Sequence, residues 1–195
     1  MSIYRPTISK EEIKELPLAD FSGAIYVIQT QEEAEKAVAF LKTHAILGFD
    51  TETKPSFKKG IINNVALIQF STKNSCFLFR INQIGIPQSL SDLFANASVK
   101  KIGLSLKDDF HMLNKIKIIQ HINFIDLQQY VKSFEIEANS LAKIYAIMFG
   151  KRISKSQRLS NWEADFLTDK QKQYAALDAW ATREIYMKLE SLHIL

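Results

Sequence analysis

Residues 45–53 read AILGFDTET, an apolar run that ends in two acidic residues. The β-rich composition of the run predicts a buried strand. Asp50 and Glu52 are two positions apart, so on a strand both side chains project from the same face of the sheet. Adjacent carboxylates repel each other, and a divalent cation between them would relieve that repulsion, because Mg²⁺ favours oxygen ligands. The alternative interpretation is a solvated strand end.

A second acidic position lies on a predicted helix that starts at about residue 105. Leu106, Phe110 and Leu113 have the helical spacing of a buried stripe. At about 100° per residue, Asp109 lies near the start of this stripe, whereas Asp108 points nearly opposite. We therefore expect Asp109 to face the protein interior and Asp108 to be solvated. A salt bridge at the border of the stripe is the alternative role for Asp109.

The third acidic position lies on the C-terminal helix. Thr168 and Gln171 form a capping box, which predicts that the helix begins there. Its apolar stripe consists of Tyr174, Ala181, Ile185, Leu189 and Leu192. Asp178 lies within this stripe, one turn after Tyr174. A charged carboxylate on a packing face is costly unless it is paired or bound to a metal, so a buried ion pair and a metal site are both open.

The remaining pattern predicts a mixture of strands and helices. Further strands are predicted at residues 24–28, 64–71, 75–80, 100–104 and 123–126. Capping boxes at Ser9 and Thr30 predict two early helices, Pro87 precedes a short one, and the chain is mostly helical from residue 127. This order predicts an α/β domain that borders on α+β, with a mixed central sheet between helices in three layers.

The composition is that of a globular protein. The 195 residues are 47% hydrophobic and 24% charged, and without repeats or linkers they predict one domain over 1–195, with 1–23 as a lead-in. Cys76 is the only cysteine, which excludes an intramolecular disulfide and a cysteine-based zinc site.

Apolar runs are too short to span a membrane, and the N-terminal residues are charged, so we expect a cytoplasmic protein with no membrane contact. No protein partner can be inferred.

Three motifs in this order resemble the DEDDy 3′–5′ exonucleases of the ribonuclease H-like fold. They are F-D-T-E-T at 49–53, I-G-L-S-L-K-D-D-F at 102–110 and Y-A-A-L-D at 174–178. The longer stretch at 159–179, which includes S-N-W, looks like the Werner-syndrome-type exonuclease domain, with ribonuclease D as the next most similar family. The resemblance extends from about residue 24 to the end of the chain.

The resemblance implies a site and a reaction. By position, Asp50, Glu52, Asp109 and Asp178 would bind two divalent ions, Mg²⁺ or Mn²⁺, with Asp50 bridging them. Tyr174 would be the fifth catalytic residue and would orient the attacking water. The implied reaction releases nucleoside 5′-monophosphates from nucleic acid 3′ ends, and the Werner-type resemblance favours DNA. The alternatives are trimming of RNA 3′ ends, a catalytically silent nucleic-acid-binding module, and an α/β protein with coincidental acids.

Residues 151–160, KRISKSQRLS, form a basic segment with four basic residues and no acidic one. The charge predicts contacts with substrate phosphates, although a solvated connection is the ordinary alternative. The resemblance favours the phosphate role, for which Lys155 and Arg158 are the candidates. Thr53 directly follows Glu52, at the position that approaches the terminal nucleotide in relatives.

Other residues near the motifs are weaker candidates for substrate contacts. Three lysines could extend the basic rim: Lys54, Lys58 and Lys59. Three aromatic residues could stack on terminal bases: Phe57, Phe110 and Trp162. The helical stripe favours a core position for Phe110, and we expect Trp162 to be a structural anchor.

Overall fold

The computed structural model describes residues 3–56, 58, 60 and 63–192, and within these ranges it contains a six-stranded sheet. The strands are β1 (Ala24–Ile28), β2 (Ile46–Thr53), β3 (Val65–Ser71), β4 (Ser75–Arg80), β5 (Lys100–Gly103) and β6 (Phe124–Asp126). Their order is β1-β4-β3-β2-β5-β6. β3 is antiparallel to both β2 and β4, and the other neighbouring pairs are parallel, so the sheet is mixed as predicted.

Helices cover both faces of the sheet. They are α1 (Lys10–Glu15), α2 (Gln31–Leu41), α3 (Ile81–Ile84), α4 (Gln88–Phe94), α5 (Leu106–Ile116), α6 (Leu127–Tyr130), α7 (Leu141–Phe149) and α8 (Asp169–Glu190). The capping boxes at Ser9, Thr30 and Thr168 are confirmed at the starts of α1, α2 and α8. The short helix α3 was not predicted, since no side chain caps it. A 3-10 turn at Val131–Phe134 follows α6.

The sheet separates two hydrophobic cores. One core lies under α7 and α8 and includes Leu78 and Ile102. The other lies under α2, α4 and α5 and includes Leu47 and Phe49 of β2. Because side chains alternate along a strand, the even-numbered residues of β2 face α8. The three-layer α/β fold class is therefore confirmed, and β2 runs through its centre.

Helix α8 lies directly on β2 at a glycine. A Cβ atom at Gly48 would lie 1.8 Å from the carbonyl oxygen of Ala179, so only glycine allows this approach. One turn along, the Thr182 hydroxyl donates to the Ile102 carbonyl of β5 at 2.8 Å. These contacts fix Asp178, the neighbour of Ala179, over the end of β2.

The lead-in packs on the same core as α8. Phe21 is 3% exposed, and its ring centroid lies 5.9 Å from that of Trp180 in α8. Ile8 and Ala19 are buried as well. In β4, Cys76 is a free cysteine whose side chain is buried. Among the helices described, none has both the length and the apolar character needed to cross a membrane.

Candidate active site

Three carboxylates converge where β2 ends beneath α8. Asp50 and Glu52 come from the α8-facing side of β2, and Asp178 comes from α8 itself. One oxygen of each lies within 4.8 Å of the others. Glu52 is 8% exposed and Asp178 is 7% exposed, so this acidic cluster is largely removed from water.

Burial and mutual repulsion raise the pKa values of the acidic cluster. Burial raises the pKa of Asp50 well above its ordinary range, and the charges of Asp178 and Asp109 add to this increase. Burial, followed by the charge of Asp50, raises the pKa of Glu52 to about 10. Burial also raises the pKa of Asp178 to about 7, against a hydrogen bond from Tyr174. Without a cation, the cluster therefore favours protonated carboxyl groups.

A divalent metal ion fits this cluster. Asp178 Oδ1 is buried and has no hydrogen-bond partner among the described residues. The cluster offers only carboxylate oxygens, the ligands that Mg²⁺ and Mn²⁺ prefer. A bound cation would satisfy the free oxygen and offset the repulsion, so Asp50, Glu52 and Asp178 could hold such an ion.

Asp109 lies next to the acidic cluster but outside it. It comes from the first turn of α5, and its Oδ1 accepts a hydrogen bond of 2.5 Å from the Thr51 hydroxyl. Burial raises the pKa of Asp109 to about 6, against this hydrogen bond. Asp108 is exposed, so the helical projection distinguished the two orientations correctly. Phe110 packs in the core beside Phe49, as expected.

The start of α5 is fixed by a residue that the sequence interpretation did not single out. Ser105, just before the helix, has a left-handed backbone with φ of 62°. The carboxylate of Asp126, at the end of β6, accepts hydrogen bonds from the backbone N–H groups of Ser105 at 2.9 Å and Leu106 at 3.0 Å. Asp126 thereby positions the helical turn that carries Asp109.

Tyr174 contacts the acidic cluster through its hydroxyl group, which hydrogen-bonds to Asp178. Burial, followed by the charges of Asp178, Glu52 and Asp50, raises the pKa of Tyr174 far above its ordinary value. The phenol is therefore a hydrogen-bond donor at neutral pH. The ring of Trp162 lies 6.0 Å from that of Tyr174 and is fully buried, which confirms the expected anchor position.

Gln171 ties the S-N-W stretch to the start of α8. Its Nε2 donates to the Ser160 hydroxyl at 3.0 Å and to the Asn161 carbonyl at 3.2 Å. Its Oε1 accepts from the backbone N–H of Thr168 at 3.0 Å in the capping box. One buried amide thus holds both the helix start and the segment that carries Trp162.

The basic segment lies beside the acidic cluster. Lys155 and Arg158 are exposed, and their positive charges lower the pKa values of Asp178 and Glu52, respectively. Thr53 is the last residue of β2 and follows an irregularity in the pairing with β3. The structure therefore places these three substrate-binding candidates around the carboxylates.

Of the three lysines expected to extend the basic rim, the structure describes Lys54 and Lys58. Lys54 forms an ion pair of 3.1 Å with Glu163, so its charge is compensated within the protein. Lys58 is exposed. Lys59 and Phe57 lie outside the described residues. Sequence alone did not indicate the Lys54–Glu163 pair because the two residues are far apart along the chain.

Gln69 is a buried polar residue that sequence reasoning missed. It lies opposite Asp50 in the antiparallel pairing of β3 with β2, so both side chains are on the α8 face. Gln69 is fully buried, and neither of its amide atoms has a hydrogen-bond partner in the described part of the chain. The available signal was the one polar residue within the apolar run VALIQF at 65–70.

Sequence comparison identifies relatives over most of the chain. A family model described as 3′–5′ exonuclease matches residues 25–193. The chain is 34% identical over 187 residues to the Mus musculus bifunctional 3′–5′ exonuclease/ATP-dependent helicase WRN, over 91% of this chain and 13% of that protein. It is 30% identical over 210 residues to a 3′–5′ exonuclease of Arabidopsis thaliana, over 98% of this chain and 72% of that protein.

Solved structures share the fold. The Nibbler EXO domain of Aedes aegypti matches with a TM-score of 0.80 and 24% identity, over 90% of this chain and 94% of that chain. Escherichia coli RNase D, an exoribonuclease involved in structured RNA processing, matches with a TM-score of 0.75 and 21% identity, over 85% of this chain and 44% of that chain. With the family model spanning β1 to beyond the end of α8, the chain belongs to the 3′–5′ exonuclease family.

Proposed function

We propose that this protein is a metal-dependent exonuclease that hydrolyses phosphodiester bonds at the 3′ ends of nucleic acids and releases nucleoside 5′-monophosphates. The observation that carries the proposal is the acidic cluster, in which Glu52 and Asp178 are buried and Asp50 is half-buried. Such a cluster is costly without a cation, and the neighbouring Lys155 and Arg158 suit an anionic substrate.

The proposed cofactors are two divalent ions, Mg²⁺ or Mn²⁺. Asp50, Glu52 and Asp178 would hold one ion, with Asp50 shared between the two. Asp109 would contribute to the second ion through water, since it lies outside the cluster and hydrogen-bonds to Thr51. When bound, ions of this kind polarise a phosphoryl oxygen, lower the pKa of water and stabilise the leaving oxygen.

The chain's own polar groups would orient the reactants. Tyr174 remains protonated and adjacent to Asp178, so it would donate a hydrogen bond that orients the attacking water rather than accept its proton. Lys155 and Arg158 would neutralise phosphate charge at the rim of the cluster. Thr53, at the end of β2, would approach the terminal nucleotide.

DNA is the proposed preferred substrate, on the basis of the Werner-type motifs and the 34% identity to the mouse exonuclease/helicase. The chain spans 13% of the length of the mouse relative. The substrate of this protein is therefore proposed and is not given by that comparison. Trimming of RNA 3′ ends and silent nucleic-acid binding are the competing functions, and both make different predictions for turnover.

A single assay tests these functions. Single-stranded DNA, duplex DNA with a recessed 3′ end and RNA, each labelled at the 3′ or the 5′ end, are incubated with Mg²⁺ or Mn²⁺. We expect release of labelled mononucleotide from 3′-labelled DNA, faster than from RNA, and no release by Asp50→Asn. Turnover of RNA alone would replace the DNA proposal, and binding without turnover of any substrate would contradict the nuclease proposal.

A further inference from the structure

A basic groove lies between the lead-in, the start of α7 and the first residues of the basic segment. This lead-in groove has a volume of about 670 Å³. Its basic lining residues are Lys10, Lys14, Lys143, Arg152 and Lys155. Its apolar lining residues are Ile13, Ala142 and Ile153. Among the described residues that line it, none is acidic.

Hydrogen bonds fix the two walls of the lead-in groove to each other. The backbone N–H of Arg152 donates to the Pro17 carbonyl at 2.9 Å, and the N–H of Ala19 donates to the Arg152 carbonyl at 2.8 Å. The Nε of Arg152 donates to the Leu16 carbonyl at 2.9 Å. The lead-in is therefore joined to the first residues of the basic segment, and the groove is largely formed before any ligand binds.

The lead-in groove lies near the candidate active site. Lys155 lines the groove and also influences Asp178 through its charge. Ser154 lines both the groove and a neighbouring depression of about 440 Å³, whose other lining residues include Tyr174 and Asp169. Asp169 forms an ion pair of 3.0 Å with Lys172. A surface path thus leads from the acidic cluster, past Tyr174 and Ser154, to the lysines of the lead-in.

The lysines that line the groove are not paired with acidic side chains within the described part of the protein. Lys10, Lys14 and Lys143 form no ion pair there, and Lys10 and Lys14 are exposed. On the same helix, Glu12 pairs with Arg5 at 2.6 Å, and Glu11 and Glu15 are exposed but do not line the groove. Several unpaired cations that surround one concave surface attract a polyanion, most strongly at low salt.

We infer that the lead-in groove binds phosphates of the substrate strand on the 5′ side of the scissile bond. This inference rests on the proposed nuclease function, because it takes the strand from a 3′ end at the acidic cluster into the groove. Lys10 and Lys14 precede residue 25, where the match to the family model begins. The proposed phosphate-binding surface therefore includes lead-in residues outside the span that the family model matches.

Binding of single-stranded DNA of two lengths tests the inference. The full chain carrying Asp50→Asn keeps the DNA intact, and its affinity is measured for a trinucleotide and a dodecamer by fluorescence anisotropy. The test variant adds Lys10→Ala with Lys14→Ala. The control variant instead adds Lys36→Ala with Lys42→Ala, at helix α2, which packs on the opposite face of the sheet.

We expect the test variant to bind the dodecamer about tenfold more weakly at low salt, with a salt slope shallower by about 1.4, as expected for two lost phosphate contacts on a single strand. Trinucleotide affinity should not change, because this ligand is too short to fill both sites. The control variant should bind like its parent. Substitution of the same two residues by arginine should retain the affinity for the dodecamer.

Several results would overturn the inference. If the test variant binds the dodecamer with unchanged affinity, or loses equal affinity for the trinucleotide and the dodecamer, the strand does not run through the groove. If the lysine substitutions weaken the binding of a polyglutamate peptide but leave the affinity for DNA unchanged, the groove would be assigned to acidic peptides. If the native chain hydrolyses DNA while the lysine variants bind like their parent, the inference fails and the proposed function stands. If the test variant loses affinity for the dodecamer alone but the native chain hydrolyses no DNA, the proposed function fails and the groove remains a binding site for nucleic-acid phosphates.

Discussion

In the folded protein, three carboxylates are largely removed from water: Asp50, Glu52 and Asp178. Within the described residues, none of them forms an ion pair, and each has a pKa raised first of all by burial. Groups of this kind bind protons more tightly in the folded chain than in the unfolded chain. At the scale of the residue, protons and metal ions should therefore compete for the same oxygen atoms.

This competition predicts how stability depends on pH. The folded pKa of Asp178 is about 7, above its unfolded value of about 4, so its stabilising contribution is present below pH 4 and is lost as the pH rises through 7. In EDTA, we expect the free energy of unfolding to fall between pH 5 and 8, by about 1.4 kcal/mol per pH unit for each extra proton held. Urea denaturation at several pH values measures this change.

The controls for this pH prediction are a metal and a variant. Mg²⁺ or Mn²⁺ should raise the stability most at pH 8, where the carboxylates are ionised. Asp178→Asn removes one titrating group and should give a shallower pH dependence in EDTA. A stability that is constant from pH 5 to 8 in the native chain would contradict the raised pKa values.

Two adjacent aspartates provide a matched test of the site. Asp109 hydrogen-bonds to Thr51 beside the acidic cluster, whereas Asp108 is exposed. We expect Asp109→Asn to lower kcat by about 10–100-fold, the usual loss when a group that supports a metal site through a water ligand is removed. Asp108→Asn should retain most of the activity. Initial rates on 3′-labelled DNA measure both, and equal losses at the two positions would contradict the assignment.

At the scale of the element, sequence reasoning worked where the signal was local. Each capping box places its signal within four residues, so the starts of α1, α2 and α8 were predicted correctly. The order of the strands was not predicted. β1 pairs in parallel with β4 rather than with β2, and this choice depends on packing between distant parts of the chain.

The same distinction applies to the site. Asp50 and Glu52 share a face because of strand alternation, and Asp178 belongs to a helical stripe, so both features were readable from spacing. The contact of Asp109 with Thr51 and the position of Gln69 opposite Asp50 depend on how separate elements meet. Spacing within one element carries no information about either arrangement.

The close approach of α8 to β2 predicts the effect of one methyl group. In Gly48→Ala, the added Cβ would overlap the backbone of Ala179, so α8 must move away from β2. We expect a loss of about 3 kcal/mol in the free energy of unfolding, together with reduced kcat, because Asp178 moves with the helix. Urea denaturation and initial rates measure the two effects.

Gly150 is the matched control for this substitution. It has a φ of 63°, and a Cβ there would contact nothing within 4 Å. Gly150→Ala should therefore cost only the left-handed backbone penalty of about 1 kcal/mol and leave kcat unchanged. If Gly48→Ala were no more destabilising than Gly150→Ala, the contact between α8 and β2 would not be as tight as described.

At the scale of the whole molecule, the lead-in is part of the core although it precedes the family match. Phe21→Ala removes a buried ring that packs against Trp180 and should lower the free energy of unfolding by about 3 kcal/mol. Ile3→Ala, at a residue that is 68% exposed, should change it by less than about 0.5 kcal/mol. Similar results for the two variants in urea denaturation would show that the lead-in is not held by its apolar contacts.

The lone thiol of β4 makes this chain convenient for spectroscopy. Cys76 is fully enclosed, and burial raises the pKa of its thiol, so maleimide reagents should leave it untouched in the native state. A fluorophore or spin label could then be attached through Ser156→Cys, on the exposed basic segment, without first replacing any natural cysteine. The unsubstituted protein would be the unlabelled blank, and the probe would report directly on how that segment moves when an oligonucleotide binds.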